Sequence, residues 1–120
     1  MSETNPQLKA TFAYDEDGGT LCGVKFNVAN SGITADVYMD IGTHVGWVGL
    51  YNAIEAKKGY RLETSECNGA TAVSFDEQNA RVVFELSKYG TNGGDGAMTI
   101  SLERDVCLTA FRAIAAALTA

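Results

Sequence analysis

The sequence predicts an α+β fold: an antiparallel sheet with two amphipathic helices, arranged as a tandem strand-strand-helix repeat. Three observations carry this. Several segments alternate apolar and polar residues with the period of a half-buried strand. Two segments place apolar residues at i, i+4 and i+7, which is one face of a helix. The second half of the chain also repeats the pattern of the first.

Residues 1–7 are polar and read as a tail, and residues 8–120 read as one domain. Leu8, Ala10, Phe12 and Tyr14 alternate with Lys9, Thr11 and Ala13, giving a first strand. Asp15-Glu16-Asp17-Gly18-Gly19 has turn composition. Val24, Phe26 and Val28 define a second strand with Lys25 and Asn27 on its other face, and Asn30-Ser31-Gly32 signals a tight hairpin into a third strand over about 33–41. The period then changes. Trp47, Tyr51 and Ile54 form a helical stripe, with Lys57 and Lys58 in its last turn and Gly59 as the stop. Strands follow at about 60–66, 70–76 and 80–88. A Gly-rich loop, Thr91 to Gly96, leads to a strand at 97–102, and a helix from about Arg104 to Leu118 carries the stripe Cys107, Phe111, Ile114 and Leu118.

The repeat is legible in two segments. Val24 to Gly32 lies over Val82 to Gly90, matching Val with Val, Phe26 with Phe84 and Gly with Gly. Val45 to Ala56 lies over Asp105 to Ala116, matching Ala53-Ile54 with Ala113-Ile114. The pseudo-repeats span about 8–58 and 60–119. Antiparallel strands bury one face, a helix with one apolar stripe covers it, and the opposite sheet face stays open for binding.

Composition narrows the function classes. At 120 residues, 46% hydrophobic and 20% charged, the chain can bury a core without metals or disulfides. Cys22, Cys67 and Cys107 are odd in number and widely spaced, which disfavours a disulfide framework or zinc site and fits a reducing, cytoplasmic compartment. The polar start is unlike a signal peptide, and no apolar run approaches the roughly 20 residues of a membrane span. The net charge of −6 favours basic partners and repels nucleic acid at long range.

The segment from Arg81 to Leu118 resembles a known family. Arg81-Val82-Val83-Phe84-Glu85-Leu86-Ser87-Lys88-Tyr89-Gly90, the Gly-rich loop, Met98-Thr99-Ile100-Ser101-Leu102 and the helix through Phe111 and Ile114 are similar to the single-stranded-DNA-binding fold of the transcriptional coactivator PC4 and the plant Whirly proteins. Whirly proteins also carry two strand–helix units in tandem. The resemblance implies binding of single-stranded nucleic acid on the sheet face, by a homo-oligomer built through the helices. Such proteins line the sheet with basic and aromatic residues. Here the outward positions are mixed: Lys9, Lys25, Asn27, Arg61, Glu63, Arg81 and Glu85.

On this reading the nucleic-acid-binding residues are Lys25, Lys57, Lys58, Arg61, Arg81 and Lys88 for phosphates, with Tyr60 and Tyr89 as stacking platforms. Each has a structural alternative: Lys57, Lys58 and Arg61 suit the negative end of a helix dipole, and Arg81 and Lys88 suit a solvated strand edge. Asp15 to Asp17 and Asp95 lack the spacing of a calcium loop, and Thr91 to Gly96 lacks a P-loop lysine. His44 is the sole histidine and no nucleophile elbow accompanies it, so no catalytic site, metal or cofactor is expected. Cys107, Trp47 and Tyr51 read as core. The alternative to strand binding is an acidic protein that inhibits or neutralises a basic partner, using Asp15-Glu16-Asp17, Glu63, Glu66, Asp76 and Glu77.

Overall fold

The structure is a computed structural model and describes residues 7–119 except 17, 31, 43, 67–68 and 89–95. The elements run β1 (Gln7–Tyr14), β2 (Leu21–Asn30), β3 (Ile33–Asp40), α1 (His44–Ala56), β4 (Tyr60–Glu66), β5 (Gly69–Asp76), β6 (Arg81–Lys88), β7 (Gly96–Glu103) and α2 (Arg104–Thr119). The fold is α+β, as the periodicities require. The strands divide into two antiparallel sheets, β1-β2-β3 and β4-β5-β6-β7; the sequence left one sheet or two open.

Each sheet has one apolar face because its strands alternate. In the first, Val24, Phe26, Val28, Val37 and Met39 are buried, while Lys25, Asn27, Asp36 and Tyr38 point outward and are exposed. In the second, Val73, Phe75, Val82, Phe84, Ile100 and Leu102 are buried. The helical stripes close over these faces: Trp47, Leu50 and Ile54 from α1, and Cys107, Phe111 and Ile114 from α2. All of them belong to one cluster.

At its centre is Phe26. Its ring lies 5.2 Å from Phe84, 5.5 Å from Phe111 and 6.1 Å from Trp47. One side chain thus touches the second sheet and both helices. The indole N–H of Trp47 donates to the Ile41 carbonyl at 2.7 Å, so the buried polar atom of this cluster is satisfied.

The repeat is carried in strand register. Phe26 pairs with Val37 and Phe84 with Ile100; Val24 pairs with Met39 and Val82 with Leu102. On the other side Ala10 pairs with Phe26 as Val73 pairs with Phe84, and Phe12 with Val24 as Phe75 with Val82. Each half is therefore a three-stranded meander followed by a helix, and β4 is an additional strand in the second half.

Phe26→Ala should lower the free energy of unfolding by about 3–5 kcal/mol, since it removes a fully buried ring at a junction of four elements. Urea denaturation followed by far-ultraviolet circular dichroism measures it.

Candidate binding surfaces

The residues singled out as strand-binding candidates fall on two sheet faces and one cleft. On the first sheet, Lys25 lies 4.0 Å from the Asp36 carboxylate, which also accepts a hydrogen bond from Asn27 at 2.8 Å. On the second, Arg61 is bound by two carboxylates. It reaches Glu63 on its own strand at 3.1 Å and crosses β5 to Glu85 on β6. The crossing works because Ala72, between Glu63 and Glu85 in the register, is small enough to be covered. Hydrogen bonds from Arg61 to Glu85, then to Glu63, hold its proton more tightly than usual. Exposed pairs of this kind contribute little stability, of order 0–1 kcal/mol. Their consequence is local: the Lys25 and Arg61 charges are already balanced on the open faces.

Tyr60 is half-buried against the core, with its ring over Gly49 of α1. A Cβ at Gly49 would come within 2.7 Å of the Tyr60 hydroxyl, so the glycine is what lets the ring lie there. Tyr89 and the side chains of Lys88 and His44 lie outside the described residues, as does most of the Gly-rich loop, including Asp95.

Several acidic groups named above are also engaged locally. Glu77 accepts the Gly59 N–H at 2.9 Å. Asp15 accepts the Gly19 N–H at 3.2 Å, within its turn. The Asp76 carboxyl is held below the ordinary carboxylate range, chiefly by the Asn79 side chain at 2.7 Å and also by the N–H groups of Gln78 and Asn79.

The cleft forms where three connections meet. Lys57, Asn79, Ala80, Arg81, Glu103, Arg104 and Asp105 line a volume of about 340 Å³. The C-terminus of α1 supplies Lys57. Its terminating residue is Lys57 and not Gly59: Lys57 has φ 60°, its N–H donates to Ile54 at 3.3 Å, and the Lys58 N–H donates to Ala53 at 2.8 Å. This is a Schellman motif with lysine in the position that glycine usually takes. The lysines therefore lie just past the helix, not in its last turn.

The turn between β5 and β6 supplies Ala80, with φ 54°, and Arg81, whose guanidinium donates to the Ser101 hydroxyl and carbonyl at 3.0 Å each. Among the described residues, Lys57 and Ala80 are the non-glycine positions with positive φ, and both line this cleft.

The start of α2 supplies Arg104, and sequence reasoning missed its role. Its Nε donates to the Ile54 carbonyl at 2.7 Å and its Nη2 to the Glu55 carbonyl at 2.9 Å. These carbonyls belong to the last turn of α1, where helical donors run out, and Arg104 adds a second donor to the Ile54 carbonyl beside the Lys57 N–H. Arg104 thus caps one helix while beginning the next. No local pattern could reveal this, because the partners are far apart in the chain.

Arg112 on α2 donates to the Tyr51 hydroxyl at 3.2 Å, and that hydroxyl donates to Glu55 at 3.4 Å, joining the exposed edges of α1 and α2. Burial pushes the Cys107 thiol up to about 12, whereas Cys22 is exposed. Among the described residues no three of His, Cys, Asp and Glu come together as a metal centre requires. No helix of the described residues is long and apolar enough to cross a membrane.

The matching sequence family spans residues 37–113, from β3 into α2, and is described as a family of unknown function (DUF5766). The chain belongs to that family. No curated protein and no solved structure matches the chain. The family span contains every residue of the cleft and excludes β1 and all of β2, with Lys25.

Two stability changes follow from the cleft. Arg104→Ala should cost about 2 kcal/mol by leaving the α1 carbonyls without their charged donor, with Arg104→Lys intermediate because it lacks the fork. Lys57→Gly should stabilise by about 1 kcal/mol by relieving the left-handed backbone. Denaturant titration reads both. In a Cys67→Ser background, a thiol reagent at neutral pH should modify Cys22 rapidly and reach Cys107 only on unfolding.

Proposed function

We propose that this protein is a non-catalytic macromolecule-binding protein of PC4/Whirly-like build whose partner is single-stranded nucleic acid, gripped through phosphates at the cleft. The observation that carries the reading is the convergence of Lys57, Arg81 and Arg104 at one polar cleft, in a chain whose net charge is −6. Glu103 and Asp105 share that cleft, so its three cations leave a local excess of one positive charge. The start of α2 lies at the same cleft, and the positive end of its dipole favours anions. Two left-handed non-glycine residues in its wall add support, because backbone strain concentrates at working sites.

Among the described residues, neither Lys57 nor Lys58 has a carboxylate partner, so both can meet phosphate without giving up an ion pair. Lys25 and Arg61 would first have to exchange a carboxylate for phosphate. The tandem build, a meander followed by a helix in each half, supports the reading through the strand–helix pattern noted in the sequence. The reading includes a reducing cytoplasmic compartment, which the widely spaced cysteines and the buried Cys107 thiol support.

A second reading, an acidic protein that docks on a basic partner, is favoured by one specific observation. The outward cations Lys25 and Arg61 are paired with Asp36, Glu63 and Glu85, which leaves the surplus of carboxylates to dominate the surface field.

Fluorescence anisotropy of labelled single-stranded DNA and RNA separates the two. Saturable binding is expected at low salt and should weaken steeply as salt rises. Lys57→Ala with Lys58→Ala should lower the slope of log affinity against log salt by about 2. No binding at low salt overturns the strand-binding reading and turns attention to capture of a basic protein.

A further inference from the structure

We infer that the free edge of β1 is a pairing edge that joins two copies of this chain, β1 to β1 antiparallel, into one continuous six-stranded sheet. The starting observation is the register shared by the two halves. Because Ala10 and Phe12 pair with Phe26 and Val24 as Val73 and Phe75 pair with Phe84 and Val82, β1 is the counterpart of β5. The far side of β5 is occupied by β4, with Leu62 beside Val73 and Tyr60 beside Phe75. Among the described residues the far side of β1 has no such strand: the sheet order is β1-β2-β3 and β1 stands at its edge.

Burial follows that difference. Val73 is 0% and Phe75 3% exposed, whereas Leu8, Ala10 and Phe12 are only partly buried. An edge strand also presents a row of backbone N–H and C=O groups able to template another strand. The position is therefore apolar on its inward side and open in the hydrogen-bonding direction.

The occupant is argued from β1's own pattern. Gln7–Tyr14 contains no carboxylate, and Lys9 is its single charge. The opposite edge of the same sheet, β3, carries Asp36 and Asp40 and would repel another acidic chain. A basic partner would meet Lys9 at the β1 edge, which a second copy avoids by register. Antiparallel pairing centred on Ala10 opposite Ala10 sets Leu8 against Phe12 on the inward face. It sets Lys9 against Thr11 on the outward face, so no like charges oppose. The register shift between Ala13 and Tyr14 ends the flat stretch and confines pairing to the segment around Ala10. The contact is isologous and closes after two copies.

Analytical ultracentrifugation of the full chain without nucleic acid tests this, independently of the strand-binding reading. The expected result is a reversible dimer in the micromolar range. Thr11 is exposed, so its replacement leaves the core intact. Thr11→Lys, which sets two Lys–Lys pairs across the interface, should weaken the dimer by about tenfold. Thr11→Glu, which sets two Lys–Glu pairs, should tighten it, while both variants keep the wild-type thermal melt. A wild-type chain that stays monomeric overturns the inference. So does a dimer whose dissociation constant is the same in all three proteins, since its interface then lies elsewhere.

Discussion

The packing of Phe26 against Phe84 is the contact on which the rest of the structure depends. The two rings occupy matching positions in the two halves and meet 5.2 Å apart. Neither sheet could bury its apolar face alone: the first has three strands and the second four, and each needs a cover. The helices provide part of it, and Phe111 bridges to both rings, lying 5.5 Å from Phe26 and 6.4 Å from Phe84. The core is therefore shared between the halves, and the strand registers around it repeat because the same pair of residues must reach the same centre.

A second constraint follows at the rim of that core. With two helices side by side over shared apolar residues, the end of α1 and the beginning of α2 come together, and the end of α1 has carbonyls to satisfy. Arg104 does so with two hydrogen bonds while its neighbours Lys57, Ala80 and Arg81 wall the cleft. Lys57 and Ala80 hold a backbone conformation that glycine would adopt at lower cost. Structural capping and a concentration of cations thus arise at one place. The same economy explains the sheet faces, where small residues such as Ala72 let Arg61 span a strand and meet Glu85.

Much of this was legible in the sequence. Strand and helix periods located the elements, because half-buried strands alternate and the helical stripes Trp47–Ile54 and Cys107–Ile114 are sharply apolar. The match of Phe26 to Phe84 exposed the repeat. The division into two sheets was not legible, since alternation reports which residues face inward and not which strands pair. Gly59 was the natural helix stop by residue type, yet the left-handed residue is Lys57, a choice made by where β4 must begin. Of the candidate site, Lys57 and Arg81 do share a cleft, but their companion Arg104 gave no local signal. The neutralisation of Lys25 by Asp36 and of Arg61 by Glu85 depends on strand register that only the folded sheets supply.

The central claim is that the two halves share one core, and the lone tryptophan offers a direct test. Trp47 lies in the first half and Phe84 in the second. Unfolding of Phe84→Ala should be followed by Trp47 fluorescence and by far-ultraviolet circular dichroism in the same urea series. The account predicts a single coincident transition, shifted equally by both probes to lower urea. A tryptophan transition that stays at the wild-type midpoint while circular dichroism shifts would contradict it, and would mean that the halves fold as separate units.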